Sequence, residues 1–337
     1  MEDCVRGPRD GVGVRVASLL PAWTETVHSV ARGECLVGVT HEDQVADASA
    51  SALVVTRNKF DGSVMTSAEI AATHRASAGE WALGQQFASW DEWAVCRDLV
   101  QFQLCSFYHV SCDALIQARP TLILTHVLET EMGSLNDVER AVRLILSDSN
   151  VQVMSMDPTT LSEIYAATIA IGKSVHAERN AFALVARTRF MLEKRSPSRY
   201  SIQSAVIIQW LDPLYVAGGW LPDMLERLFP SCAGCTFTRP GGPSLATTWD
   251  QLATVQADLV IVAPCGMDLA QAEREFSALA PARIVGSSSR LILCFDATRM
   301  FSLPSCESVL RTAHSIMERV ERLTCTNQPD AALASIS

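Results

Sequence analysis

Short apolar runs rich in β-branched residues recur along the chain, and helix-period stretches separate them. The first run is Val14-Arg15-Val16-Ala17-Ser18-Leu19-Leu20. Pro21-Ala22-Trp23-Thr24-Glu25 follows and opens a helical pattern that reaches Arg32. Pro at a helix start beside a Thr cap is an initiation signal. Further strands are read at 35–40, 53–56, 121–125 and 151–156, with helical stretches ending at Ala118 and covering 134–147. Buried strands alternating with helices predict a mainly parallel α/β sheet.

The stretch 157–195 differs. Thr160 and Glu163 have capping-box spacing. Leu161, Ile164, Thr168, Ile171, Val175, Phe182, Val185 and Phe190 then recur at helical steps with no breaker. Some 35 residues at 1.5 Å each predict one helix of about 50 Å, long enough to cross between lobes. Beyond Pro197 the α/β pattern restarts, with strands at 205–210, 259–263 and 291–295 and helices at 221–228, 249–255 and 306–323. The expected fold class is α/β: two Rossmann-like lobes with mainly parallel sheets, one long helix between them and a ligand cleft between the lobes. The boundaries read as a tail at 1–13, an N-terminal lobe at 14–156, the helix at 157–195, a C-terminal lobe at 203–325 and a tail at 326–337. Residues 79–103, rich in Trp and Gln, read as an insertion in the first lobe.

Composition narrows the function classes. The 337 residues are 48% hydrophobic and 19% charged, enough to bury a large core. The formal net charge of −10 opposes a general nucleic-acid binder, which needs a basic face. No uninterrupted apolar stretch is long enough for a membrane-spanning helix. The opening Met1-Glu2-Asp3-Cys4 lacks the basic start and apolar run of a secretory signal, so a cytoplasmic location is expected unless a leader has been removed. Eleven scattered cysteines fit a reducing compartment better than a disulfide framework. Cys232 and Cys235 have redox or metal spacing, but no second pair accompanies them, and an incidental pair is the plainer reading.

The common catalytic signatures are missing. There is no phosphate loop and no G-x-S-x-G elbow, and His41-Glu42 is followed by no second metal-binding His. No catalytic residue, metal site or catalytic cofactor is therefore assigned. In open α/β sheets ligands bind at the carboxyl ends of the strands. Those ends carry Pro21-Ala22-Trp23-Thr24, His41-Glu42, Arg57 and His126 in the first lobe. In the second they carry Trp210, Tyr215 and Trp220, then Cys265-Gly266, then Asp296 and Phe301. Aromatic and polar loops on two lobes point to a bulky, partly apolar ligand.

Several segments carry a resemblance: RVASLLPAWTE at 15–25, CLVGVTHE at 35–42, VVTRNK at 54–59, TSAEI at 66–70, ALIQARPTLILT at 114–125, QWLDPLYVAGGWLPDML at 209–225 and TWDQLATVQADLVIVAPCGMDL at 248–269. They resemble the class III periplasmic binding proteins for iron-siderophores and vitamin B12, nearest the cobalamin-binding branch of ABC-transporter substrate-binding proteins. The resemblance implies a non-catalytic, monomeric protein that captures cobalamin or another metal chelate, less expectedly a ferric siderophore or haem. It implies small lobe movement and docking on an ABC permease through exposed acids at Asp113 and Glu226. Trp210, Tyr215 and Trp220 would face Trp23, His41 and Arg57 across the ligand. The chain departs from the family where Asp43-Gln44-Val45-Ala46 replaces an aromatic-proline turn, where Ser302-Leu303-Pro304-Ser305-Cys306 replaces a basic proline run, and in the 79–103 insertion.

Each assignment competes with a plainer one. Trp23 at a strand-to-helix turn fits the core as well as a ligand. His41 fits a satisfied polar loop as well as a metal-facing imidazole, and Arg57 fits a surface ion pair. Cys265 fits a backbone turn better than a nucleophile. Two other functions stay open: an intracellular enzyme or chaperone for a tetrapyrrole or metal cofactor, and an interaction module that has lost its ligand.

Overall fold

The protein was analysed as a computed structural model, which describes residues 13–43, 51–58, 65–72, 108–126, 142, 146, 150–193, 202–231, 237–255, 257–280 and 291–325. The expected insertion at 79–103, the Cys232/Cys235 pair, residues 1–12 and 326–337 of the tails, and all of the expected helix at 134–147 except 142 and 146 lie outside the described residues.

The first lobe forms around β1 (Val16–Ser18), which is fully buried. α1 (Pro21–Ala31), β2 (Leu36–Val39), β3 (Leu53–Val54), β4 (Thr56–Asn58), β5 (Tyr108–Val110), α2 (Cys112–Ala118), β6 (Leu122–Thr125) and β7 (Gln152–Ser155) follow. The sheet order is β3-β2-β1-β6-β7, and each neighbouring pair is parallel. β4 and β5 form a separate antiparallel pair. Buried apolar runs such as Leu122–Thr125 fit a sheet covered on both faces.

The helix expected over 157–195 is two helices, α3 (Leu161–Ser174) and α4 (Glu178–Glu193). Thr160 and Glu163 form the anticipated capping box. The break falls at His176, whose φ of 55° is left-handed, and Ala177 N–H donates to Gly172 O at 2.7 Å, five residues back. Tertiary contact fixes the break: a Cβ on Gly172 would lie 2.4 Å from Ala181 Cβ, so α3 and α4 touch at a position only glycine permits. The linker is thus a bent pair and not a 50 Å rod.

The second lobe contains β8 (Ala205–Leu211), β9 (Leu214–Val216), α5 (Trp220–Leu228), β10 (Leu245–Ala246), α6 (Trp249–Thr254), β11 (Leu259–Val262), α7 (Leu269–Leu279), β12 (Leu291–Cys294) and α8 (Cys306–Cys325). Its order is β10-β9-β8-β11-β12. β8, β11 and β12 are parallel, while β9 and β10 run antiparallel. Residues 211–216, read from the sequence as part of a loop, instead close a hairpin that pairs Trp210 with Tyr215.

One apolar cluster runs through both lobes, including Val16 and Trp23 from the first, Ile164 and Leu184 from α3 and α4, and Ile207, Ile261 and Ile316 from the second. Polar joints reinforce it. Leu161 N–H donates to Asp223 Oδ2 at 3.1 Å, Asn180 Nδ2 donates to Val30 O at 2.7 Å, and Ser29 Oγ bonds Glu307 Oε1 at 3.2 Å. Two smaller clusters line the outer face of each sheet. The lobes therefore share a close-packed interior, which resists large rotation of one against the other. Among the described residues no helix is long and apolar enough to cross a membrane.

Candidate functional site

In the first sheet the chain leaves β1 in opposite directions toward β2 and β6, which makes the β1/β6 crevice a switch point where α/β proteins bind ligands. Here Trp23 fills it. Its indole N–H donates to Thr125 O at 3.2 Å, and the side chain is 1% exposed. Pro21, Ala22 and Thr24 are buried beside it. The sequence expectation that these four residues face a ligand is corrected: Trp23, Val27 and Val30 form one inward stripe of α1 and belong to the core.

The loop after β2 is better exposed. The His41 side chain is one-fifth exposed; its Nδ1 lies 2.8 Å from Thr56 Oγ1, and its Nε2 lies 3.9 Å from Glu42 Oε1. Arg57 is exposed on β4, opposite His109 in register. At the ends of β6 and β7, His126 Nε2 sits 2.9 Å from Asp157 Oδ1, and this hydrogen bond holds the Asp157 carboxyl below its usual range.

Asp43 lies in the same loop. Its Oδ2 accepts from Thr24 Oγ1 at 2.8 Å, Thr40 N at 2.7 Å and Thr40 Oγ1 at 2.9 Å, while Oδ1 is buried without a partner. Burial pushes its pKa up, and the hydrogen bonds and the Arg299 charge only partly oppose this. A raised folded pKa means that ionised Asp43 costs stability above that pKa and that the cost vanishes below the unfolded value of 3.8. Asp43→Asn is therefore expected to raise the urea midpoint at pH 7 and to lose that advantage near pH 3. Equal midpoints for the two proteins at every pH would refute this.

The second lobe has its switch point between β8 and β11. It is polar. Cys265 N–H donates to Gln209 O at 3.0 Å, Gln209 Nε2 approaches Cys265 Sγ at 3.4 Å, and Ser244 Oγ donates to Gln209 Oε1 at 2.6 Å. Gly266 follows with φ 76°, exposed, and a Cβ there would meet no atom within 4 Å. The backbone at Gly266 is thus open to its surroundings at the strand ends. Sequence reasoning missed Gln209 and Ser244; Gln209 inside an apolar strand was the available signal. Burial raises the Cys265 pKa, which disfavours the thiolate there.

Trp210 and Tyr215 are half-buried partners on the β8–β9 hairpin, and Trp210 Nε1 donates to Asp212 O at 3.1 Å. Trp220 does not join them: at 5% exposure it anchors α5 in the shared core with Leu221, Met224 and Leu225. Phe301 is likewise a core residue, 2% exposed, with its ring tilted against that of Phe295 at 5.2 Å between centroids. Both expectations of ligand contact are corrected, because each aromatic side chain is enclosed by the shared core. Asp296 is half-buried and accepts from Thr298 N at 2.9 Å and Thr298 Oγ1 at 2.5 Å. Asp113 and Glu226 are exposed on α2 and α5. Among the described residues no three His, Cys, Asp or Glu side chains converge in a metal-holding group.

The chain matches the sequence profile of no known family, and no curated protein matches it in sequence. Solved structures do match. A possible iron-binding, periplasmic solute-binding protein of Staphylococcus epidermidis superposes with a TM-score of 0.55 at 19% identity, over 90% of this chain and 98% of that one. The periplasmic haem-binding protein HutB of Vibrio cholerae gives 0.55 at 15% identity, over 91% and 98%. The periplasmic vitamin B12-binding protein BtuF of the same organism gives 0.53 at 12% identity, over 93% and 98%. The chain thus has the two-lobe α/β fold of the class III periplasmic binding proteins for iron, haem and vitamin B12.

Proposed function

We propose that this protein is a non-catalytic binding protein that captures a bulky metal chelate between its lobes. The observation that carries the reading is a likeness spanning at least 90% of this chain and 98% of proteins described as binding iron, haem or vitamin B12. The site agrees with it. The switch point of the second lobe ends in an open glycine beside half-buried Trp210 and Tyr215, a surface that accepts a flat ring system. Cobalamin and haem both present such a ring. In this reading Gln209, Cys265 and Gly266 line one wall, and His41 and Glu42 face it from the loop after β2. The partner this reading implies is an ABC permease, approached by the exposed carboxylates of Asp113 and Glu226.

The test is a titration of the purified protein with hemin, cyanocobalamin and a ferric siderophore, followed by tryptophan fluorescence. Saturable quenching at micromolar or tighter concentration is expected for one of the three. Trp210→Leu is expected to weaken that binding about tenfold, or about 1.4 kcal/mol. A protein that responds to none of them is not a chelate binder of this kind.

A further inference from the structure

The segment 65–72 of the first lobe meets α7 of the second. Ser67 N–H donates to Glu275 Oε2 at 3.1 Å, and the Ser67 hydroxyl donates to the same oxygen in a shorter contact. Gln271 Nε2 donates to Met65 O at 3.0 Å. Ser67 is fully buried and Gln271 is 8% exposed. Gln271 and Glu275 stand one turn apart on the same face of α7. Gln271 is itself fixed at its backbone by Asp268 Oδ1, at 2.7 Å.

Both elements are capped independently of these bonds. The segment 65–72 starts with its own cap, because Thr66 N and Oγ1 both donate to Glu69 Oε2, at 2.8 and 2.9 Å, and Glu69 N donates back to Thr66 Oγ1 at 3.3 Å. α7 is capped by Asp268. Glu275 is thus spent on the opposite lobe, where a carboxylate receiving two donors forms a charge-assisted bond stronger than a neutral one. The position matters as well: α7 begins directly after the Cys265–Asp268 loop, so Gln271 lies five residues beyond the open Gly266.

We propose that Met65 and Ser67 with Gln271 and Glu275 form a clasp that holds the two lobes together beside the candidate site, and that this clasp opens when a bulky ligand passes. The shared core at Trp23, Ile164 and Ile261 stays packed during opening, so the movement is small and local to the clasp side. The consequence for ligand exchange rests on the chelate reading above; the clasp itself does not.

The experiment compares wild type with Glu275→Ala and Ser67→Ala, using Arg274→Ala as a control on the exposed side of the same helix. Hydrogen exchange of the ligand-free proteins is read by mass spectrometry over 65–72 and 269–279. Both clasp variants are expected to exchange about tenfold faster in 65–72, as local opening becomes easier, and to show a slightly larger radius of gyration by X-ray scattering. The control is expected to match wild type. Stopped-flow mixing with hemin is expected to show faster capture and faster release in the variants. Unchanged exchange in 65–72 would overturn the clasp, and faster exchange with unchanged hemin rates would overturn its gating role. If wild type takes up no hemin, the chelate reading fails on its own, and exchange with scattering still decides the clasp.

Discussion

Gly218→Ala is expected to lower stability by about 3 kcal/mol, the upper end for overpacking by one methyl group. The added Cβ would lie 2.4 Å from Gly242 O, 2.4 Å from Pro243 C and 2.5 Å from Pro243 O. All three are backbone atoms, so no rotamer change relieves the clash. The backbone cannot drift away either. Gly219 N–H donates to Gly242 O at 2.7 Å, Gly241 N–H donates to Gly219 O at 3.0 Å, and Gly218 N–H donates to Ser244 Oγ at 3.1 Å. Spread over a chain of this size, the loss corresponds to a melting shift of roughly 4 °C, read by calorimetry. Ser244 also holds Gln209 at the second-lobe switch point, so the variant is expected to loosen that hydrogen bond as well. An unchanged melting temperature would mean that the 218 and 242–243 turns are not in contact in solution.

The second large effect is expected at Glu25. It sits on α1 of the first lobe at 8% exposure and accepts from two groups of the second, Ser305 Oγ at 2.5 Å and Arg311 Nη1 at 2.5 Å. Removing one partner of a buried ion pair costs about 3–5 kcal/mol when both groups are enclosed. The Arg311 side chain is 40% exposed and keeps a bond to Arg299 O at 3.2 Å, so water recovers part of the loss. Glu25→Ala is therefore expected to cost about 2–3 kcal/mol, below the fully buried range. Glu25→Gln keeps the shape and an acceptor for Ser305, and is expected to cost less. Urea unfolding of both variants and of Arg311→Ala, with the double variant, gives the coupling between the two side chains. Independent, additive effects would show that the joint does not link α1 to α8.

The strands were legible because burial on both faces writes itself into short β-branched runs. Val206–Ile208, Val260–Val262 and Leu122–Leu124 are almost inaccessible to water, as their composition predicts. The capping box at Thr160 and Glu163 was legible too, since its chemistry is local. The break between α3 and α4 was not. Ile171 and Ala181 are both buried and ten residues apart, within about a quarter turn of the same face, so the apolar rhythm runs on across His176. The turn exists because Gly172 meets Ala181, a contact that periodicity does not record.

The site divides in the same way. Chain order and the run of strands located the loops at the carboxyl ends of the strands and placed Trp210, Tyr215, Cys265 and Gly266 on or beside them. Sequence could not separate those from Trp23, Trp220 and Phe301, because an aromatic residue beside a strand end has the same local signature whether it faces a ligand or the core. Rotation about the helix axis and the neighbouring layer make that choice: α1 turns Trp23 into the β1/β6 crevice, and α5 turns Trp220 toward Met224 and Leu225. The sequence by itself determined two α/β lobes, the parallel strands at their centres, the Thr160–Glu163 capping box and the loops at the parallel strand ends, because each depends on residues within a few positions of one another. The tertiary structure alone decided the bent linker, the core shared by both lobes, the Glu25 joint and the Ser67–Glu275 clasp. The bend follows from the close approach of Gly172 to Ala181, whereas the joint and the clasp depend on residues some 200 or more positions apart, brought together only when apolar surfaces from both lobes are buried against the same helices.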